Sequence, residues 1–371
     1  MTRLLLIGGG HAHIEVLRRF AGSPPAATTL CLATPEPALT YSGMVPGVIA
    51  GHYALADAQI DLAHLAVAAG ARLALASVAA LDPVARRATL SNGAVEAFDV
   101  ASLDVGAVPT AGFPGARDHA IAVRPLEVLV AAVDALRAAA QGGVAPRIAV
   151  VGGGAAGIEL VLALSSGLLY EANAGKAAFM LVTDKPEIAA ELPVGVRRRL
   201  SRILLAHHVA VVTGAAVSAI DAQGLVLADG RRQAASAVIL ATPAAPAPWL
   251  RASGLACDAH GFVRVDATLR SVSHPAVFAA GDCATQDDAP RPRSGVYAVR
   301  AGPPLAANLR NTLAGAPLRH YRPQRHALAL IATGDRRAVA SRPPWSAEGA
   351  WVWRWKDHID RRFVARYRAD P

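Results

Sequence analysis

At 371 residues, 53% of them hydrophobic, the chain can bury a large core and has room for two or three domains of ordinary size. Its 32 glycines and 25 prolines follow no period, which excludes a collagen-like or low-complexity design, and Cys31, Cys257 and Cys283 stand too far apart for a disulfide framework or a metal-ligand set. The net charge of +9 is uneven: from Arg319 onward twelve Lys/Arg face five Asp/Glu, so the basic face is C-terminal, either a solvated surface or a binding surface for anionic groups.

The chain enters an apolar strand at Leu4 to Ile7 almost at once, without the pattern of a secretion signal. A glycine turn, Gly8-Gly9-Gly10, a helix near Ala12 to Phe20 and a strand at Thr29 to Leu32 complete a βαβ unit. A loop from Pro35 to Gly51 follows, then a helix near Asp61 to Ala69. Ala71 to Val78 and Ala88 to Leu90 flank a turn at Asp82-Pro83, and Asn92-Gly93 marks a hairpin.

Beyond Pro109 to Pro114 the pattern starts again, with an amphipathic helix from Leu126 to Ala140 and a second βαβ unit from Arg147 to Asp184. Its glycine turn reads Gly152-Gly153-Gly154-Ala155-Ala156-Gly157, and the unit closes near Ile239 to Pro243. Val277 to Asp282 is another buried strand, ending in a glycine and a carboxylate, and returns the chain to the first unit. Trp351, Trp355, Ile359, Phe363 and Tyr367 then fall at steps of four and draw one stripe on a helix, either packed on its own protein or laid on a membrane surface. No apolar stretch is long and unbroken enough to span a bilayer.

Glycine turns of this kind let backbone N–H groups and the positive end of the following helix approach a pyrophosphate, so two turns point to two dinucleotides. The expected fold is α/β: two Rossmann-like dinucleotide-binding domains of three-layer ββα type, plus a C-terminal α+β tail. The boundaries fall at 1–112 for the first part of one domain, 113–245 for the domain inserted into it, 246–318 for its second part, and 319–371 for the basic, tryptophan-rich segment.

Gly8-Gly9-Gly10, the turn at Gly152, Phe98-Asp99-Val100 leading to Gly106, and Ala280-Gly281-Asp282 are similar in order and spacing to the two-dinucleotide flavoprotein family. That family holds disulfide reductases, type II NADH dehydrogenases and sulfide:quinone oxidoreductases. More narrowly, Gly8 to Val16, Tyr41 to Gly47 with Ile49 to Tyr53, Gly295 to Leu309, and Tyr321 to Arg325 through Trp355 resemble a subgroup also found fused ahead of selenide, water dikinase. The chain ends before a dikinase could begin, and we expect a stand-alone oxidoreductase module.

The resemblance implies FAD in the outer domain, held by Gly8, Gly9, Gly10, His11, Ala12 and His13 and, further on, by Thr34, Glu36, Met44, Val78, Gly106, Gly281, Asp282 and Tyr297. It implies NAD(P)H in the inserted domain, on Gly152, Gly154, Ala155, Gly157, Thr183 and Asp184. The sequence departs from the pattern in places. His13 replaces the third glycine, and Ala33 replaces the acid that takes the FAD ribose. Thr183 with Asp184, and no arginine directly after them, favour NADH over NADPH.

Three residues are candidates for chemistry: Glu159 facing the nicotinamide cleft or lying on its helix surface, His11 as a neutral proton relay or a hydrogen-bonded neighbour of the cofactor, and Arg300 as a stabiliser of the reduced ring or a structural ion pair. The loop Tyr41 to Gly47 has no redox cysteine pair, and Arg300-Ala301 stands where type II NADH dehydrogenases carry paired glutamines.

The expected activity is hydride transfer from NAD(P)H to FAD and onward to a small-molecule acceptor, a quinone. The alternatives are thiol-independent chemistry on a selenium or sulfur compound, or an NADH-sensing flavoprotein that recruits a partner. We expect a cytoplasmic monomer or homodimer with peripheral membrane contact through its C-terminal segment, no metal and no nucleic-acid partner.

Overall fold

The structure, a computed structural model, describes residues 1–108, 112–169, 177–242 and 245–368. Pro109 and Pro243, where the crossovers between units are expected, lie outside them.

Two five-stranded parallel sheets form the frame. In the first, the strands run in the order Val277–Ala279, Val100–Leu103, Thr2–Ile7, Thr28–Thr34 and Ala71–Leu75. In the second the order is Ala120–Ala122, Ala237–Leu240, Arg147–Val151, Ala178–Val182 and Val209–Val212. Leu4, Leu5, Leu6 and Ile7 are all buried, as a strand covered on both faces requires. The helices His11–Gly22 and Ala155–Leu169 leave the two central strands at the glycine turns. Each unit adds a three-stranded antiparallel sheet, at 78–97 and at 217–234, which makes the third layer. The first sheet therefore takes strands from both sides of the second in the sequence.

Two expected elements differ in detail. Ala71 to Val78 is not one strand: Ala71–Leu75 pairs in the parallel sheet, and the chain turns at Ala76-Ser77 so that Val78–Asp82 can pair with Arg87–Leu90. The loop after Pro35 carries order of its own, a strand at Ala38–Thr40 and a short helix at Val45–Ile49 whose Val45 and Ile49 enter the core of the second unit.

The C-terminal segment is an antiparallel sheet, Ala329–Ala332, Ala338–Arg342 and Trp345–Gly349, followed by the helix Ala350–Ala365. It bridges both units: Ile331 and Val339 join the core of the second, while Phe363, Val364 and Tyr367 join that of the first. The helix buries only the far end of the aromatic stripe, Phe363 and Tyr367. A step of four advances 400°, so a stripe drawn that way drifts 40° per step around a helix. Trp351, Trp355 and Ile359 are exposed, and the buried face is Val352, Lys356, Asp360, Phe363 and Val364.

Candidate functional site

The first glycine turn is shaped by backbone contact. Gly8 has φ +90°, and a Cβ there would lie 2.5 Å from the carbonyl oxygen of Asp104. His13, in the third glycine's place, is fully buried; its Nδ1 donates to Gly8 O at 2.6 Å and its Nε2 accepts from Ser102 Oγ at 2.8 Å. Burial holds that ring neutral, its pKa lowered to about 4. In the second unit Gly157 keeps the close approach, since a Cβ on it would meet Gly152 O at 1.9 Å.

Asp104, at the end of the strand Val100–Leu103, was not singled out from sequence and is the centre of the first cradle. Its Oδ2 accepts from Ala12 N at 2.7 Å and His13 N at 3.1 Å, capping the helix that Gly10 opens. Burial pushes its carboxyl up to about 7 against those two hydrogen bonds. The signal was present as an acid in an otherwise apolar strand end, Leu103-Asp104-Val105-Gly106.

Around this turn Gly106 (φ +66°) adjoins Arg124, whose Nη2 lies 3.5 Å from Asp282 Oδ2. Gly281, Asp282, Arg293, Ser294 and Tyr297 line one cleft with Tyr321. Thr34 is buried beside Gly9, whereas Glu36 is exposed after the strand. Met44 and Val78 pack in the hydrophobic core. Arg300 is exposed on the helix Gly295–Leu313, whose buried residues include Ala298, Ala301, Gly302 and Leu305; it does not line the cleft itself, but its charge acts on Tyr321 there.

At the second turn Thr183 is buried against Gly153, and Asp184 is exposed with Lys185 Nζ 3.3 Å away. Ala155 N donates to Glu191 Oε1 at 3.3 Å, placing a carboxylate at the start of that helix.

Between the two cradles the C-terminal helix closes a cluster that unites His11 and Glu159. His11 meets Tyr41 edge-on at 5.6 Å, and Tyr41 stacks at 4.4 Å on Phe363. Tyr41 OH donates to Asp360 Oδ1 at 3.3 Å, and Lys356 Nζ donates to Asp360 Oδ2 and to Gly43 O, each at 2.6 Å. Glu159 Oε1 accepts from Ala332 N at 2.7 Å. Burial raises the Glu159 carboxyl to about 7, with Lys356 pulling the other way. Burial opposes the charge on Lys356, but Asp360 and Glu159 hold its pKa above the ordinary value. Burial and then the charge of Arg124 lower His11 to about 4, and its Nε2 is enclosed with no hydrogen-bond partner among the described residues.

The unpartnered Nε2, the glycine turn whose Gly9 and Gly10 leave no room for a Cβ, and the cleft at Asp282 fit a flavin dinucleotide on this chain. Lys356 and Asp360 escaped the sequence reading because they sit one residue along from the aromatic stripe, 100° around the helix.

Comparison with known proteins agrees with this architecture. Two NADH dehydrogenase-like proteins of Mycobacterium tuberculosis are 30% identical over 237 residues, 62% of this chain and 59% of each relative, so the match spans less than two thirds of their length. The sulfide:quinone oxidoreductase of Aquifex aeolicus shares the fold with a TM-score of 0.84 at 17% identity, covering 99% of this chain and 92% of that one. A water-forming NADH oxidase of Lactobacillus brevis, solved with NADH bound, aligns with a TM-score of 0.74 at 20% identity over 92% of this chain and 75% of its own. The pyridine nucleotide-disulphide oxidoreductase model matches residues 2–302, and the chain belongs to that family.

Proposed function

We propose that this oxidoreductase uses FAD in the first cradle to pass hydride from NAD(P)H, held in the second, to a quinone. The observation that carries the reading is the cluster between the two glycine turns, which joins His11, Tyr41, Asp360 and Lys356 in one contact chain beside Glu159. The relatives named as NADH dehydrogenase-like and the fold shared with a sulfide:quinone oxidoreductase support it.

When bound, FAD supplies the two-electron to one-electron conversion that side chains lack. Gly8 to Ala12 would hold its pyrophosphate end, and Asp282 and Tyr297 line the cleft beyond. Gly152, Gly154, Ala155 and Gly157, with Thr183 and Asp184, would receive the nicotinamide dinucleotide, NADH being favoured. Glu159, neutral below about pH 7, stores a proton beside the charged Lys356. Thiol relay has no place here: burial raises the Cys31 and Cys283 thiols to about 11 and 12, so neither is a thiolate near neutral pH.

Trp345, Trp351 and Trp355 form an exposed aromatic face, their rings 6.5 Å apart in two pairs, with exposed Arg342 and Arg354 nearby in sequence. This face supplies a peripheral membrane contact where a quinone is met. No described helix is long and apolar enough to cross a membrane.

An anaerobic titration tests the reading. The flavin-loaded chain should bleach on adding NADH and recover colour with a soluble quinone; bleaching without quinone-dependent recovery removes the acceptor, and failure to bleach removes the activity.

A further inference from the structure

Asp104 occupies ground that a pyrophosphate needs. Its Oδ2 already takes the N–H groups of Ala12 and His13, two of the donors at the first helix start. The carboxyl is clamped between two glycines: a Cβ on Gly10 would lie 2.4 Å from its Cγ, and one on Gly281 would lie 2.4 Å from its Oδ1. It cannot swing aside without moving one of those backbones. A helix N-terminus offers about half a unit of positive charge, too little for a pyrophosphate dianion and a carboxylate together.

We propose that Asp104 is a positioning residue for FAD that must be neutral when the dinucleotide is in place, so that one proton is taken up from solvent as FAD binds. The inference rests on the placement of FAD in the first cradle argued above. Protonated, the side chain keeps its carbonyl oxygen on Ala12 N and His13 N, while the hydroxyl beside Gly281 turns a repelled anion into a donor. The surroundings leave Asp104 close to this switch: burial pushes its carboxyl up to about 7, and the charge of Asp282 adds to it.

The other groups facing Asp104 do not titrate in the same range. Burial lowers His11 and His13 to about 4, and burial raises the Cys283 thiol to about 12. The cation Arg124 lies 3.5 Å from Asp282 and is not bonded to Asp104 in the described contacts. Glu159, at about 7, does titrate there and needs its own control.

The experiment uses the full-length chain stripped of flavin, with FAD affinity read from quenching of flavin fluorescence between pH 6 and 9. Above pH 7 the Kd should rise by up to about tenfold per pH unit, the limit for one linked proton. Asp104→Asn, which is neutral at every pH, should flatten the profile, and Glu159→Gln should leave it unchanged. Calorimetry of the wild-type chain in two buffers of different ionisation enthalpy gives a second readout, an uptake approaching one proton per FAD at pH 8. A flat wild-type profile, no proton uptake, or a slope that persists in Asp104→Asn overturns the proposal while leaving FAD binding intact. A chain that takes up no FAD at any pH overturns both.

Discussion

Lys356 and Asp360 form an ion pair of 2.6 Å on the inner face of the C-terminal helix, between Val352 and Phe363. The same Nζ donates to Gly43 O, so one cation fastens the helix to the loop that follows Thr40. Removing one partner strands the other charge out of water. Lys356→Met should therefore destabilise the chain by about 3–5 kcal/mol, and Lys356→Met combined with Asp360→Leu by much less. Thermal unfolding of the three proteins checks this; equal losses in the single and double variants would refute it.

The two glycine turns should respond differently to substitution at equivalent places. His13→Gly empties a fully buried site and orphans Ser102, a cost of about 2–4 kcal/mol in stability. Gly157→Ala instead drives a methyl into Gly152 O, overpacking worth about 1–3 kcal/mol or more that falls on the second cradle. Denaturant unfolding and NADH affinity separate them: His13→Gly lowers stability most, Gly157→Ala lowers NADH affinity most.

Glu159 sets a pH dependence whose sign follows from its raised pKa. Its carboxyl is neutral in the fold up to about 7 but ionises from about 4.5 in the unfolded chain, so the native state binds the proton more tightly and its contribution to stability is lost as pH rises from about 4.5 through 7. If that proton serves turnover, quinone reduction should fall as pH passes about 7. Glu159→Gln should lower the rate and remove this inflection, which a pH–rate profile shows directly.

The tryptophan face gives a test that leaves the cradles untouched. Replacing Trp345, Trp351 and Trp355 with Ser should weaken sedimentation with anionic vesicles by at least about tenfold, while NADH still bleaches the flavin. Unchanged vesicle binding would show that the face serves another purpose.

Much of this architecture could be read from the chain because it is local. Leu4 to Ile7 and Arg147 to Val151 announce buried parallel strands, and the glycines after them announce the turns. What escaped was set by distance in sequence. Asp104 matters because of Ala12 and His13, 92 and 91 residues away, and Tyr41 because of Asp360, 319 residues away. The aromatic stripe at steps of four is buried only at Phe363 and Tyr367, because before them a charged pair occupies the buried face, held by the loop carbonyl at Gly43 and the Tyr41 hydroxyl.

The edge strand Val277–Ala279 pairs with Val100–Leu103, across an intervening stretch that contains an entire second sheet. On the ribosome, then, the half of the molecule that emerges first is finished last. Its nascent strands must wait through roughly 170 further residues, at about 5–20 residues per second, with an unpaired edge open to wrong neighbours. The strands of the second sheet, all between Ala120 and Leu240, emerge in one stretch and can pair early, although their core still waits for Ile331 and Val339.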